Sequence, residues 1–233
     1  MEHTSNQGNR LNYQRMLDQT LERIRQEGRR PQLLLHSCCG PCSSYVLQYL
    51  AADFDIVLFY SNSNIAPEEE YRHRLSEQRR LIREMPLAGR VEVVEDVYDP
   101  DAFSAAAAGL EEQPEGGARC ARCFALRLER SAAAAARLGM DWFTTTLTVS
   151  PHKNPSVINP IGQAMGERYG VPFLCADFKK RDGYQQSIRL SRQYGLYRQG
   201  YCGCIYSLSP PDGMHRPAGG PVSQPGQESG PAR

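Results

Sequence analysis

A parallel β-sheet with helices on both faces, an α/β fold, is the class this sequence predicts. Three observations carry it. Short apolar runs, Leu33-Leu34-Leu35, Ile56 to Tyr60, Val91 to Val94, Trp142 to Leu147 and Pro172 to Cys175, read as strands. Between them lie longer segments with apolar residues at three- and four-residue steps, as amphipathic helices show. Strands and helices alternate along the chain, the pattern of parallel sheets.

The totals agree with one such domain. In 233 residues, 40% hydrophobic and 23% charged is ordinary globular composition, and the net charge of +1 announces no global attraction to nucleic acid. No stretch approaches the roughly 20 apolar residues of a membrane span. Residues 1–10 are polar, lack the apolar core of a signal peptide, and are expected to be disordered. Residues 209–233 are Pro, Gly, Ser and Gln with almost no apolar content, a second disordered segment. A single α/β domain over 11–208 and a cytoplasmic location are therefore expected. In that reducing compartment the 8 cysteines point to metal or redox chemistry more than to structural bridges.

In chain order, Leu11, Met16, Leu17, Leu21 and Ile24 mark a helix over 11–27, ended by Gly28-Arg29-Arg30-Pro31. Leu33–Leu35 is the first strand, and a helix follows through Leu50. After the strand Ile56–Tyr60, Pro67 and three glutamates open a helix to about Met85, as a helix N-terminus prefers. Strand Val91–Val94 leads to an alanine-rich helix, a loop over 111–118 and a helix opened by Cys120-Ala121-Arg122-Cys123. Then come strand Trp142–Leu147, the loop Ser150-Pro151-His152-Lys153-Asn154-Pro155, a helix to Tyr169, the short strand 172–175 and a helix over 184–194.

The chemistry concentrates in thiols. His36-Ser37-Cys38-Cys39-Gly40-Pro41-Cys42 fills the turn after the first strand, where α/β proteins place ligands. Adjacent side chains diverge in extended backbone, so Cys38 and Cys39 are expected to reach two corners of something larger than one ion, such as an iron–sulfur cube. Cys120 and Cys123 stand one turn apart at a helix start, which favours thiolates; alone, the pair could be a redox couple or half a zinc site. Cys202-Gly203-Cys204 could chelate one ion or close into a strained, easily reduced disulfide. Cys175 ends an apolar strand without a neighbour and reads as core.

Other candidates are single residues. Asp177 is a candidate metal ligand or proton donor, and a helix cap explains it nearly as well. His36 reads as a satisfied core histidine, and Lys153 as a phosphate contact. Residues 179–198 hold Lys179, Lys180, Arg181, Arg189, Arg192 and Arg198 against Asp182, with Tyr184, Tyr194 and Tyr197 interleaved. Cations with stacking aromatics suit single-stranded RNA, although a solvated helix face would look the same.

From Asn12-Tyr13 to Tyr206-Ser207 the chain resembles the cobalamin-independent epoxyqueuosine reductases, the QueH family. The matching motifs include Leu33 to Ser44, Pro114-Glu115-Gly116-Gly117-Ala118-Arg119-Cys120-Ala121-Arg122-Cys123, Phe143 to Leu147, Ser150 to Lys153, Asp177-Phe178-Lys179-Lys180 and Leu196 to Cys204. The resemblance implies a Rossmann-like sheet related to the adenine-nucleotide α-hydrolase (HUP-like) fold. It implies reduction of epoxyqueuosine to queuosine at the wobble position of tRNA, the last step of queuosine synthesis. It also implies an iron–sulfur cluster with a second metal or redox centre beside it. The expected assignment places a [4Fe-4S] cluster on Cys38, Cys39, Cys120 and Cys123. Cys42, Cys202 and Cys204 then hold a second centre, a mononuclear iron, or Cys202 and Cys204 cycle through a disulfide. Cys202, Cys204 and Asp177 are the catalytic candidates, and Lys153, Lys179, Lys180 and Arg181 the tRNA contacts. An external low-potential electron donor completes the scheme, and a monomer is the default oligomeric state. Two departures stand out: Tyr60-Ser61-Asn62-Ser63-Asn64 where the family often has Tyr-Asn-Pro-Asn, and Cys42 where some members carry aspartate.

Two rivals follow from the residues. An ATP-dependent tRNA-modifying enzyme of the PP-loop type shares the fold but needs a glycine-rich phosphate loop, where this chain has thiols. A zinc-stabilised RNA-binding module predicts zinc without iron.

Overall fold

A computed structural model describes residues 11–208, so the expectations for residues 1–10 and 209–233 lie outside the described residues. Four parallel strands, β1 (Gln32–Ser37), β2 (Asp55–Tyr60), β3 (Val91–Glu95) and β4 (Trp142–Thr145), form one sheet in the order β3-β2-β1-β4. β1 is central: Leu35 faces Leu58 of β2 and Thr144 of β4 in register. Among the described residues seven helices surround the sheet: α1 (Tyr13–Gln26), α2 (Gly40–Leu50), α3 (Glu68–Glu84), α4 (Pro100–Ala107), α5 (Ala118–Arg137), α6 (Pro155–Tyr169) and α7 (Gly183–Gln193). This is the α/β, Rossmann-like arrangement expected from the alternation.

The leucines of β1 show how the layers are built. Successive strand residues point to opposite faces. Leu33 and Leu35 pack in a cluster with Leu17 and Leu21 of α1, Leu47 of α2 and Leu190 of α7. Leu34 points the other way, to Phe124 and Leu128 of α5 and Ile158 of α6. A run apolar at every position therefore marks a strand covered on both sides.

One expected strand is not formed. Residues 172–175 make a single parallel bridge, Phe143 to Phe173, with Leu174 N–H donating to the Phe143 carbonyl at 2.8 Å. Pro172 has no N–H to extend the ladder. β4 is also shorter than the apolar run suggests. Thr145 accepts from Leu147 N–H through its side chain, and residues Thr146–Val149 coil into a 3₁₀ turn.

The helix boundaries follow local chemistry. Glu68, Glu69 and Glu70 occupy the first turn of α3. Asn154 caps α6, Pro155 starts it, and Gly170 at φ 72° ends it in the left-handed region. Among the described residues no helix is long and apolar enough to cross a membrane.

Candidate metal and thiol centre

The site lies at the carboxyl end of the sheet. β1 stops at Ser37, the chain bends at Cys38, and Cys39 is the extended N-cap of α2 (φ −172°, ψ 161°). Gly40 and Pro41 start the helix and Cys42 stands in its first turn. The sulfurs of Cys38, Cys39 and Cys42 lie within 4.8 Å of one another, those of Cys38 and Cys39 3.8 Å apart. The expected divergence of Cys38 and Cys39 is thus not found. The alternation rule holds along a continuous strand, and the bend at Cys38 ends the strand before the pair.

Short polar links hold this turn. Asn62 Nδ2 donates to the Ser37 carbonyl at 2.9 Å, and Ser37 Oγ donates to Gln78 at 2.8 Å. Ser43 Oγ donates to the Cys39 carbonyl at 2.9 Å, and Ser44 Oγ to that of Pro41 at 2.8 Å. Hydrogen bonds from Cys39 and Cys42, with Lys153 and Arg127 nearby, hold the Cys38 thiol well below its ordinary range. Its partners move the other way: hydrogen bonding to Cys38 pushes Cys39 up to about 11 and raises Cys42 as well.

A second group of thiols meets across a narrow cavity. Cys120 and Cys123 come from α5, and Cys202 and Cys204 from the segment after α7. Burial pushes Cys123 up to about 11 and raises Cys120, against which the Gly116 N–H donates to the Cys120 sulfur at 3.2 Å. Cys204 is buried against Phe103 and Ala107 of α4, with Cys123 alongside.

The segment carrying Cys202 and Cys204 has no regular structure of its own, and α3 holds it. Arg80 donates to the carbonyls of Tyr194 and Gly195, and Glu77 accepts from Tyr197 N–H at 3.0 Å. Arg74, only 2% exposed, pairs with Glu70 at 2.7 Å, donates to the Cys202 carbonyl at 3.2 Å and lies 5.1 Å from the Tyr201 ring centroid. Residues 70, 74, 77 and 80 share one face at helical spacing.

Arg127 of α5 lines the cavities of both thiol groups. Its Nη2 donates to Asn62 at 2.6 Å and its Nε to His36 Nε2 at 3.2 Å. His36 Nε2 also lies 3.1 Å from the Ser61 carbonyl, and its Nδ1 2.8 Å from Thr145 Oγ1, so both ring nitrogens are engaged. Burial, then Arg127, pushes His36 down to about 3, so the ring is neutral. Lys153 lines both cavities as well, and the neighbouring Cys202, Cys38 and Cys42 raise its pKa against the burial that lowers it. Sulfur donors within one ion's reach, flanked by two fixed cations that offset thiolate charge, fit a thiolate-bound metal centre.

Cys38, Cys39, Cys42 and Cys202 also line a wider cavity of about 370 Å³ with Arg74, Arg198, Tyr184 and Tyr201. That volume is of the size small-molecule sites use.

Other expected residues are spread more widely. Asp177 pairs with Lys179 at 3.3 Å and lines neither cavity. Lys179 Nζ also donates to the carbonyls of Thr148 and Lys153, so its charge ties loops together. Arg181 pairs with Asp18 at 2.7 Å, and Lys180 is exposed. Cys175 is buried in the α5–α6 layer, its thiol pushed up to about 11 by burial. Sequence reasoning missed Arg127, Asn62 and Arg74. Arg127 carried a faint signal, following Cys123 and Phe124 at four and three residues on its helix; Arg74, set among Glu70, Glu77 and Gln78, carried none.

Comparison with known proteins covers the segments that carry these residues. The family model described as Epoxyqueuosine reductase QueH matches residues 33–210. A protein of that name from Streptococcus pyogenes serotype M1 is 40% identical over 204 residues, covering 87% of this chain and 80% of the relative. One from Staphylococcus epidermidis is 40% identical over 202 residues, covering 85% of each. One from Thermotoga maritima is 35% identical over 181 residues, covering 76% of this chain and 90% of the relative. A match of this extent, over a chain folded on one Rossmann-like sheet, places this chain in the QueH family of epoxyqueuosine reductases.

Proposed function

We propose that this protein reduces epoxyqueuosine to queuosine at the wobble position of tRNA in the cytoplasm, using a [4Fe-4S] cluster and a second thiol-held centre. The observation that carries the reading is the Cys38–Cys39–Cys42 triad on the wall of a basic, tyrosine-bearing cavity of about 370 Å³. Deoxygenation breaks both C–O bonds of the epoxide and forms a carbon–carbon double bond. Two electrons and two protons enter, and the oxygen leaves as water. An external low-potential donor supplies the electrons, which a bound cluster passes on singly.

The chain's own residues do the rest. Arg127 and Lys153 hold fixed positive charge beside the sulfurs, where thiolate and developing alkoxide charge are both favoured. Tyr184 and Tyr201 offer faces for a base, and Arg198 offers a contact for backbone phosphate at the same cavity.

Seven thiols divide between the two centres in one of two ways. Motif order assigns the cluster to Cys38, Cys39, Cys120 and Cys123 and leaves Cys42, Cys202 and Cys204 for the second centre. The 4.8 Å grouping supports Cys38, Cys39 and Cys42 acting together, with Cys120, Cys123, Cys202 and Cys204 as the other set. A phosphate loop is the weaker reading, because thiols occupy the β1–α2 turn.

Anaerobic purification with iron, sulfide and zinc analysis, followed by conversion of epoxyqueuosine tRNA, tests the function. Iron with sulfide and turnover is the expected result; zinc alone, or ATP-dependent binding, overturns it. Single serine variants of the seven thiols, scored for iron and visible absorbance, decide the division. Under the geometric grouping Cys42→Ser behaves like Cys38→Ser, and Cys202→Ser like Cys120→Ser.

A further inference from the structure

Resting on that reading, we infer that Glu115 is the specificity residue that binds the protonated secondary amine of the substrate's side chain. The motif containing it contributes two thiols, and its glutamate is left over from the chemistry above.

The loop before α5 is built around this residue. Gly117 N–H donates to the Pro114 carbonyl at 3.0 Å, closing a four-residue turn. Gly116, third in that turn, has φ +85°, which a type II turn requires and glycine adopts without strain. Glu115 takes the second position, where a side chain projects freely. The turn is anchored from below. Arg119 is 4% exposed, and its Nη1 donates to the carbonyls of Leu110, Glu111 and Gln113 at 3.3, 2.6 and 2.5 Å. Tyr206 packs on the guanidinium at 4.6 Å. A buried guanidinium committed to main-chain carbonyls organises a loop and leaves its charge unavailable for substrate. The turn also joins the thiols directly, through Gly116 N–H to the Cys120 sulfur.

Glu115 lines both cavities. Among the described residues it is the one carboxylate that lines either, against Arg74, Arg127, Lys153 and Arg198. Such walls suit thiolates and phosphates and repel an ammonium group. The substrate carries both kinds of charge: backbone phosphates, and the amine that links the epoxide-bearing ring to the base and is protonated at neutral pH. That amine lies a few bonds from the epoxide, so a carboxylate over the thiols anchors it and turns the epoxide toward them. Asp177, held by Lys179 outside both linings, is not placed for this role.

The test measures binding of the anaerobically purified protein to two tRNAs, one with epoxyqueuosine and one with guanine at the wobble position. The wild-type protein is expected to prefer the modified tRNA. Glu115→Gln should remove on the order of tenfold of that preference, the scale of a charged hydrogen bond, and leave guanine-tRNA affinity unchanged. Because the side chain is exposed, that unchanged affinity also reports an intact fold. Glu115→Asp, which keeps the charge, should retain part of the preference. If Glu115→Gln keeps the full preference, the inference is wrong while the reductase reading stands. If the wild-type protein fails to convert epoxyqueuosine at all, the reading and the inference fall together.

Discussion

The two thiol-bearing segments at the carboxyl end of the sheet are held by different means. Cys38, Cys39 and Cys42 ride on a turn between a strand buried from Leu33 to Ser37 and the helix that follows it, and Ser43 and Ser44 of that helix hold the turn alongside the distant Asn62 and Gln78. Cys202 and Cys204 ride on a segment without strand or α-helix, held by polar contacts from α3 and from Ala66, more than a hundred residues earlier in the chain. Even there the fit is incomplete: Arg74 Nη2 and Gln199 Oε1 lie buried without a partner. The first segment inherits the stability of the core. The second rests on small apolar clusters around Leu196 and Cys204, and local unfolding draws on such sparsely packed regions. A centre that shares thiols between the two is as firm as its looser half.

Four variants can break or sharpen this contrast. Leu34→Ala has the largest expected effect, about 2–5 kcal/mol, because it empties a site packed by α5 and α6. Chemical denaturation measures it, and native-state hydrogen exchange should quicken more at the β1–α2 turn than over 196–204. Equal quickening at both would show that the second segment also exchanges through unfolding of the core.

Arg74→Met should cost roughly 1–3 kcal/mol, since it removes a buried donor and leaves Glu70 and the Cys202 carbonyl short of a partner. Proteolysis and hydrogen exchange over 196–204 should rise while α2 stays protected. Equal loosening of α2 would show that the loop is not independently held.

Gly203→Ala should cost about 1–3 kcal/mol and act on the same loop. Gly203 sits at φ +122°, and an added Cβ would come 3.0 Å from Ile65 and 3.1 Å from Arg74. The expected signature is faster labelling of the Cys202 and Cys204 thiols with unchanged labelling of Cys42. A variant indistinguishable from wild type would remove the strain argument.

The smallest effect belongs to the basic stretch. Phosphate contacts set the salt dependence of tRNA affinity, each adding about −0.7 to −0.9 to the slope. Lys179 and Arg181 are engaged within the protein, so replacing Lys179, Lys180 and Arg181 together should flatten the slope by about one contact rather than three. A change of three contacts would mean that tRNA draws those two cations away from Asp177 and Asp18.

Much was legible before any coordinates. The leucine triplet of β1, the proline and glutamates opening α3, and the alternation of strands with helices depend on neighbours in sequence, so the sequence by itself determined the α/β class and the thiol-bearing turns. Glu115 was visible in its motif, and its type II turn follows from Pro-Glu-Gly-Gly. Tertiary structure decided what lies across from what. Cys38 and Cys39 converge because the chain bends where β1 must hand over to α2, which an extended-strand rule cannot anticipate. Arg127 reaches His36, Asn62 and two sets of thiols only once α5 crosses β1. Lys179 looks like a free cation until loops 26 and 31 residues away present their carbonyls to it. Local pattern sets backbone conformation through short-range sterics and solvation, whereas the partners of a long polar side chain depend on which distant segments the packing brings within three ångströms.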